Sequence, residues 1–108
     1  MGMVKRFDVV WVNLDPTIGR EIKKTRPAVV ISPNEMNKYL DTVIISPLTS
    51  RIRNYPTRVD CIVKGKKGQA AIDQIRVIDK QRIVSHYTKL GDSAGEKILH
   101  CLQEMFAL

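Results

Sequence analysis

The chain has 108 residues, enough for one hydrophobic core and too few for two, so a single domain spanning 1–108 is expected. With 44% hydrophobic and 27% charged side chains the composition is that of a folded globular chain, which argues against disorder, and no apolar run reaches the ~20 residues of a membrane helix. The net charge of +7 is lopsided: residues 1–67 hold 13 Lys and Arg against 6 Asp and Glu, residues 68–108 hold 5 against 5, a bias that fits either a polyanionic partner or a solubilising basic surface. MGMVKRFDVV lacks the apolar stretch of a signal peptide, so a cytoplasmic location is expected.

Phe7–Asn13, FDVVWVN, is β-branched and aromatic with apolar residues on both faces, and predicts a covered strand with Trp11 in the core. Asp15, Pro16 and Gly19 break the pattern, and the polar run to Thr25 predicts a loop longer than a hairpin needs. Ala28–Ile31 predicts strand two, Asn34–Leu40 a short helix, and Thr42–Ser46 strand three, ended by Pro47. TSRIRNYP then reads as a second polar loop. Thr57–Val63 alternates apolar and charged residues as a half-exposed strand does. Gly65 and Gly68 frame a basic turn, and Ala70–Ile78 predicts one or two further strands. A terminal helix follows, with Ser93 and Glu96 spaced as a capping box and Ile98, Leu99, Leu102, Met105 and Phe106 on one face. Cys61 and Cys101 have no metal-type or CxxC spacing and read as small core residues; His86 and His100 read as structural. Short strands with one terminal helix suggest a small, strongly curved sheet or open barrel.

NLDPTIGREIKKTRPAVVIS (Asn13–Ser32), SPLTS (Ser46–Ser50) and DQIRVIDKQRI (Asp73–Ile83) resemble, in order and spacing, the signature blocks of the MazF/PemK family of toxin ribonucleases. The resemblance spans roughly Phe7–Ile83. It implies a mainly β, SH3-like open barrel with a C-terminal α-helix, the fold of CcdB/PemK-type plasmid maintenance toxins. It also implies a homodimer that cuts single-stranded RNA at short sequences without metal or other cofactor. Cleavage of that kind proceeds by 2′-hydroxyl attack and leaves a 2′,3′-cyclic phosphate and a 5′-hydroxyl end. The partner implied is a cognate antitoxin whose acidic, disordered tail folds into the basic groove.

The residue types suit that chemistry. Charge builds on the phosphoryl group during the attack, and a guanidinium offers a fixed, charged fork of donors to two phosphate oxygens. Arg26 matches the family's catalytic arginine, and Pro27 stiffens the backbone beside it. Thr49 matches the second catalytic position, with Ser50 as a neighbouring hydroxyl. Glu21 matches a position of substrate contact or catalysis, and Asp73 and Gln74 match an acidic-Gln pair that lines the cleft in the family. The base that takes the 2′-proton stays open between Glu21 and Asp73. Arg20, Lys23, Lys24, Arg51 and Arg53, on the two polar loops, are the RNA-binding cations, and Tyr55 and Phe7 offer stacking surfaces. The plasmid-encoded branch of the family carries histidine at the position of Arg20 and arginine at that of Ala71, so its version of the mechanism does not transfer. Two other readings stand beside the ribonuclease. A gyrase-poisoning toxin of the CcdB type is disfavoured by the EMFAL end, which lacks the Trp-Gly-Ile of that type. A non-catalytic RNA-binding barrel is disfavoured by the intact Arg26 and Thr49.

Overall fold

Alternation along the apolar strands sets the layering. In β1 (Asp8–Asn13), Val10 and Val12 enter one buried cluster while Val9 enters another, because successive side chains of a strand point to opposite faces. β2 (Thr25–Val30) divides in the same way, with Ala28 and Val30 on one side and Val29 on the other. The computed structural model describes residues 3–16 and 25–108. Among these, β3 (Thr42–Thr49), β4 (Arg58–Val63), β5 (Lys66–Ala71), β6 (Arg76–Asp79) and β7 (Ile83–Lys89) complete a seven-stranded sheet. Its order is β4-β5-β3-β2-β1-β7, with β6 also paired to β3, and all pairings are antiparallel. The result is a curved, mainly β half-barrel with one C-terminal helix. No helix of the described residues is long and apolar enough to cross a membrane.

α1 (Asn34–Tyr39) is only 6 residues long, too short to hold by propensity alone. A buried polar knot secures it. The Asn37 side chain, fully buried, donates to the Ser32 carbonyl at 2.9 Å and accepts from the Ser32 hydroxyl, whose oxygen accepts the Ile44 amide at 3.0 Å. α2 (Asp92–Phe106) lays Ile98, which is fully buried, on the cluster that holds Val9, Val29 and Ile72. The Phe7 ring packs against Gly95 so closely that a Cβ there would lie 2.7 Å from it.

Three sequence expectations are corrected and one strand is added. β3 does not stop at Pro47 but runs through it to Thr49. Pro47 falls where β3 changes partner from β6, which ends opposite Ile45, to β5, which begins opposite Leu48, the kind of interruption where a missing N–H is tolerated. The basic turn is confined to Lys64 and Gly65, both at positive φ, so Lys66–Gly68 already belong to β5. The expected capping box does not form: α2 is capped by Gly91 with no side-chain bond, which places Ser93 inside the first turn, where Asp92 favours the positive end of the helix dipole. β7 carries no clear signal in sequence, because Val84, Ser85 and His86 are all exposed.

Candidate active site

β2 and β3 run antiparallel, with Ala28 opposite Pro47, so the start of β2 meets the end of β3. Arg26 and Thr49, far apart in sequence, are thereby brought together. The half-buried Arg26 guanidinium donates from Nη1 to the Leu48 carbonyl at 3.3 Å, and both Arg26 and Thr49 line one cavity of about 320 Å³. Partial burial pushes the Arg26 pKa down from its ordinary value, since losing contact with water leaves the charged form less well solvated. Pro27, opposite Trp11 in β1, holds the mouth of the strand. The Thr49 hydroxyl accepts the Arg51 amide at 3.1 Å. That bond uses the oxygen as acceptor and leaves the hydroxyl hydrogen as a donor. Ser50 also lines the cavity.

Several of the residues here were not singled out in sequence. Lys66, Lys67, Gly68 and Gln69 of β5 line the same cavity as Arg26. Gln69, 4% exposed, receives the Arg53 amide on its side-chain oxygen at 3.0 Å and donates its NH₂ to the Arg53 carbonyl at 3.1 Å and to Asp60 at 2.9 Å. This clasp ties the loop carrying the exposed Arg51 and Arg53 to the β4–β5 ribbon. Gly68 allows the close approach: a Cβ on it would sit 2.7 Å from the Thr49 carbonyl oxygen. The signal for both was present as KKGQ following a turn, a Gly inside a strand where another backbone approaches closely.

Trp11 is half-buried and lines the cavity together with Tyr87, contrary to its assignment to the core. Phe7 and Tyr55 lie elsewhere, Phe7 against α2 and Tyr55 exposed with the Arg58 guanidinium 5.4 Å from its ring.

Asp73 and Gln74 occupy a 3-10 turn beyond β5, and neither is among the residues that line the cavity. The Asp73 carboxylate is engaged by Arg58 at 2.7 Å and 3.3 Å and by the Thr57 hydroxyl at 3.2 Å. Burial raises its pKa, but the hydrogen bonds from Arg58, its own backbone and Thr57 outweigh that and hold it below the usual aspartate value, which makes it a poor proton acceptor. A depressed pKa contributes stability above the unfolded-state value and loses it as pH falls through the folded one. Asp73→Asn is therefore expected to lower stability at pH 7 by at most about 1 kcal/mol, a deficit that shrinks as pH falls through the folded-state value, with cleavage changed little; urea unfolding at pH 7 and at successively lower pH checks it.

Glu21, Arg20, Lys23 and Lys24 lie outside the described residues. No carboxylate or histidine lines the cavity among the described residues. Both histidines are exposed, His86 3.6 Å from Asp8 and His100 3.3 Å from Glu104. Ala71 is fully buried. Burial pushes both cysteine thiols up, as suits packing rather than reactivity. The remaining cations of the third sequence block grip backbone instead: Arg76 reaches the Leu14 carbonyl at 3.5 Å, Lys80 that of Asn37 at 2.5 Å, and Arg82 those of Asn13 at 3.1 Å and Asp15 at 2.5 Å.

The curved sheet with its terminal helix is the MazF fold: MazF from Deinococcus radiodurans superposes with a TM-score of 0.87 over 100% of both chains at 24% identity. A second structure, a MazE–MazF pair from the same organism, matches with a TM-score of 0.81 at 25% identity, covering 97% of this chain and 96% of that one. In sequence, the chain is 34% identical over 112 residues to Endoribonuclease EndoA of Bacillus subtilis (strain 168), covering 98% of this chain and 97% of that protein. Residues 5–106 match the family described as PemK-like, MazF-like toxin of type II toxin-antitoxin system. The chain belongs to that family.

Proposed function

We propose that this endoribonuclease toxin cuts single-stranded RNA, messenger RNA included, at a short sequence and without a metal ion, and that the whole chain acts as one toxin domain in the cytoplasm. The observation that carries the reading is the convergence of Arg26 and Thr49 on one basic cavity. The 2′-oxygen of the nucleotide before the cut attacks phosphorus, the bond from phosphorus to the 5′-oxygen breaks, and a 2′,3′-cyclic phosphate and a 5′-hydroxyl result. Arg26 takes the charge that builds on the non-bridging oxygens, and Thr49 donates to one of them. Arg26 stays protonated in this role, because arginine is an effective cation at any working pH. Glu21 is the carboxylate we assign to the 2′-proton, since Asp73 is held by Arg58. The 5′-oxygen leaves with a proton from solvent.

Arg51, Arg53, Lys66 and Lys67 supply phosphate contacts, joined by Arg20, Lys23 and Lys24 of the first loop. RNA affinity is expected to fall with salt at a slope of about −0.7 for each phosphate neutralised, so that three contacts give a slope near −2 between low and physiological salt. A two-fold pairing of chains would extend the cavity into a groove long enough for several nucleotides. A cognate antitoxin with an acidic segment would compete for the same cations, a reading that the MazE–MazF relative supports.

Incubating the purified protein with mixed-sequence single-stranded RNA in EDTA and mapping the ends tests the proposal. Cuts at one short motif with cyclic-phosphate ends are expected. Intact RNA, or cutting that requires a divalent ion, would overturn it.

A further inference from the structure

The apolar side of the same cavity has a shape of its own. Trp11 from β1 and Tyr87 from β7 meet with ring centroids 5.3 Å apart and planes tilted by 53°, and Pro27 stands opposite Trp11 across the β1–β2 pair. β1 and β7 slip register on either side of Val10 and Trp11, and such irregularities re-aim side chains. The Lys64 ammonium lies 4.9 Å from the Tyr87 ring centroid, over its face. The cationic groups at the rim are Arg26, Lys66 and Lys67, with no carboxylate among the described lining residues. Two converging aromatic faces beside a cluster of cations match a flat, apolar base attached to a phosphate. The volume of about 320 Å³ stands at the small end of ligand sites, which run from ~300 to ~1,000 Å³, and suits one nucleotide.

We propose that Trp11 and Tyr87 form a nucleobase subsite beside Arg26, holding by stacking the base of a nucleotide that flanks the scissile phosphate of single-stranded RNA. The inference rests on the reading that Arg26 and Thr49 hold that phosphate. With centroids only 5.3 Å apart the two rings touch, so the base stacks on the outside of the pair and not between them. Every base offers a π-face, so the subsite contributes affinity and register more than sequence choice. Lys64, over Tyr87, adds a cation to the platform.

Trp11 is the sole tryptophan, so intrinsic fluorescence reports on the subsite directly. The probe is an RNA carrying the mapped cleavage motif with a 2′-deoxy nucleotide at the attacked position, which binds without being cut. It is expected to quench Trp11, and Tyr87→Leu is expected to weaken its binding roughly tenfold to a hundredfold, with Tyr87→Phe restoring the affinity. An abasic nucleotide at one flanking position of the probe should cost the wild-type protein a similar factor and should cost Tyr87→Leu little more, a non-additivity that a merely structural role would not produce. The abasic arm uses unmodified protein and is independent of how the variants fold. RNA that is bound and cut normally with unquenched Trp11, and with every abasic probe bound as tightly as the parent, overturns the subsite and leaves the phosphate reading standing. Quenching by an acidic antitoxin peptide but not by RNA assigns the pocket to a protein side chain and also overturns it. A wild-type protein that neither binds nor cuts RNA overturns both.

Discussion

Arg26→Ala is expected to lower RNA cleavage by about 10²–10³-fold, the cost of removing one preorganised donor from a charge that develops in the transition state. The loss should fall on kcat more than on KM, because neighbouring cations continue to attract the substrate. Stability should change little: the side chain is half-buried and its described bond is to the Leu48 carbonyl at 3.3 Å, long enough that about 1 kcal/mol is a fair upper measure. Arg26→Lys keeps the charge and loses the fork, so it should recover only part of the rate. Single-turnover cleavage with a mapped substrate, set beside thermal unfolding of each variant, checks the pair. Cleavage by Arg26→Ala within a few-fold of the parent would remove Arg26 from the mechanism.

Gly68→Ala is expected to be the most damaging small substitution in the cavity wall. Its Cβ would sit 2.7 Å from the Thr49 carbonyl oxygen and 3.5 Å from the Thr49 carbonyl carbon. These are backbone atoms with no rotamer to yield, so either β5 or the end of β3 must shift. Overpacking of this kind costs roughly 1–3 kcal/mol, and a displacement of even about 1 Å at a catalytic group lowers rate by up to ~10²-fold. Gly65 provides the contrast: nothing lies within 4 Å of its Cβ position, but its φ is +78°, so Gly65→Ala should cost about 1 kcal/mol in stability and leave cleavage in place. Gly65→Asn, which tolerates positive φ, should recover most of that stability. Equal cleavage by Gly68→Ala and the parent would show that the Thr49 carbonyl edge is not where the site is tight.

The sequence was legible where burial and motif coincide. β1, β2 and, on α2, Ile98, Leu102 and Met105 are read from periodicity because both faces of the sheet and one face of the helix enter cores; Phe106, expected on the same helix face, is exposed near the end of the helix, and Leu99 lies outside the core cluster. Arg26 and Thr49 were named through the blocks that surround them, and the antiparallel fold of β2 on β3 then brings them into one cavity. What escaped depended on partners that no local pattern encodes. β7 is exposed over Val84–His86 and is a strand only because β1 pairs with it. Pro47 reads as a strand end unless one knows that β3 exchanges β6 for β5 there. Trp11 lies on a strand whose other apolar residues are buried, and its place on a cavity wall follows from Tyr87, 76 positions on. Asp73 resembles a cleft acid by position, but Arg58 on the neighbouring strand claims it.

The hold of Arg82 on the Asn13 and Asp15 carbonyls, together with the pairing of Asn13 with Thr25, clamps the two ends of the first loop side by side. Arg26 follows Thr25 directly and pairs with Val12, so a contact made by the third sequence block anchors the strand mouth from which the guanidinium departs. The late block therefore serves the site as scaffold, holding in place a residue that it never touches.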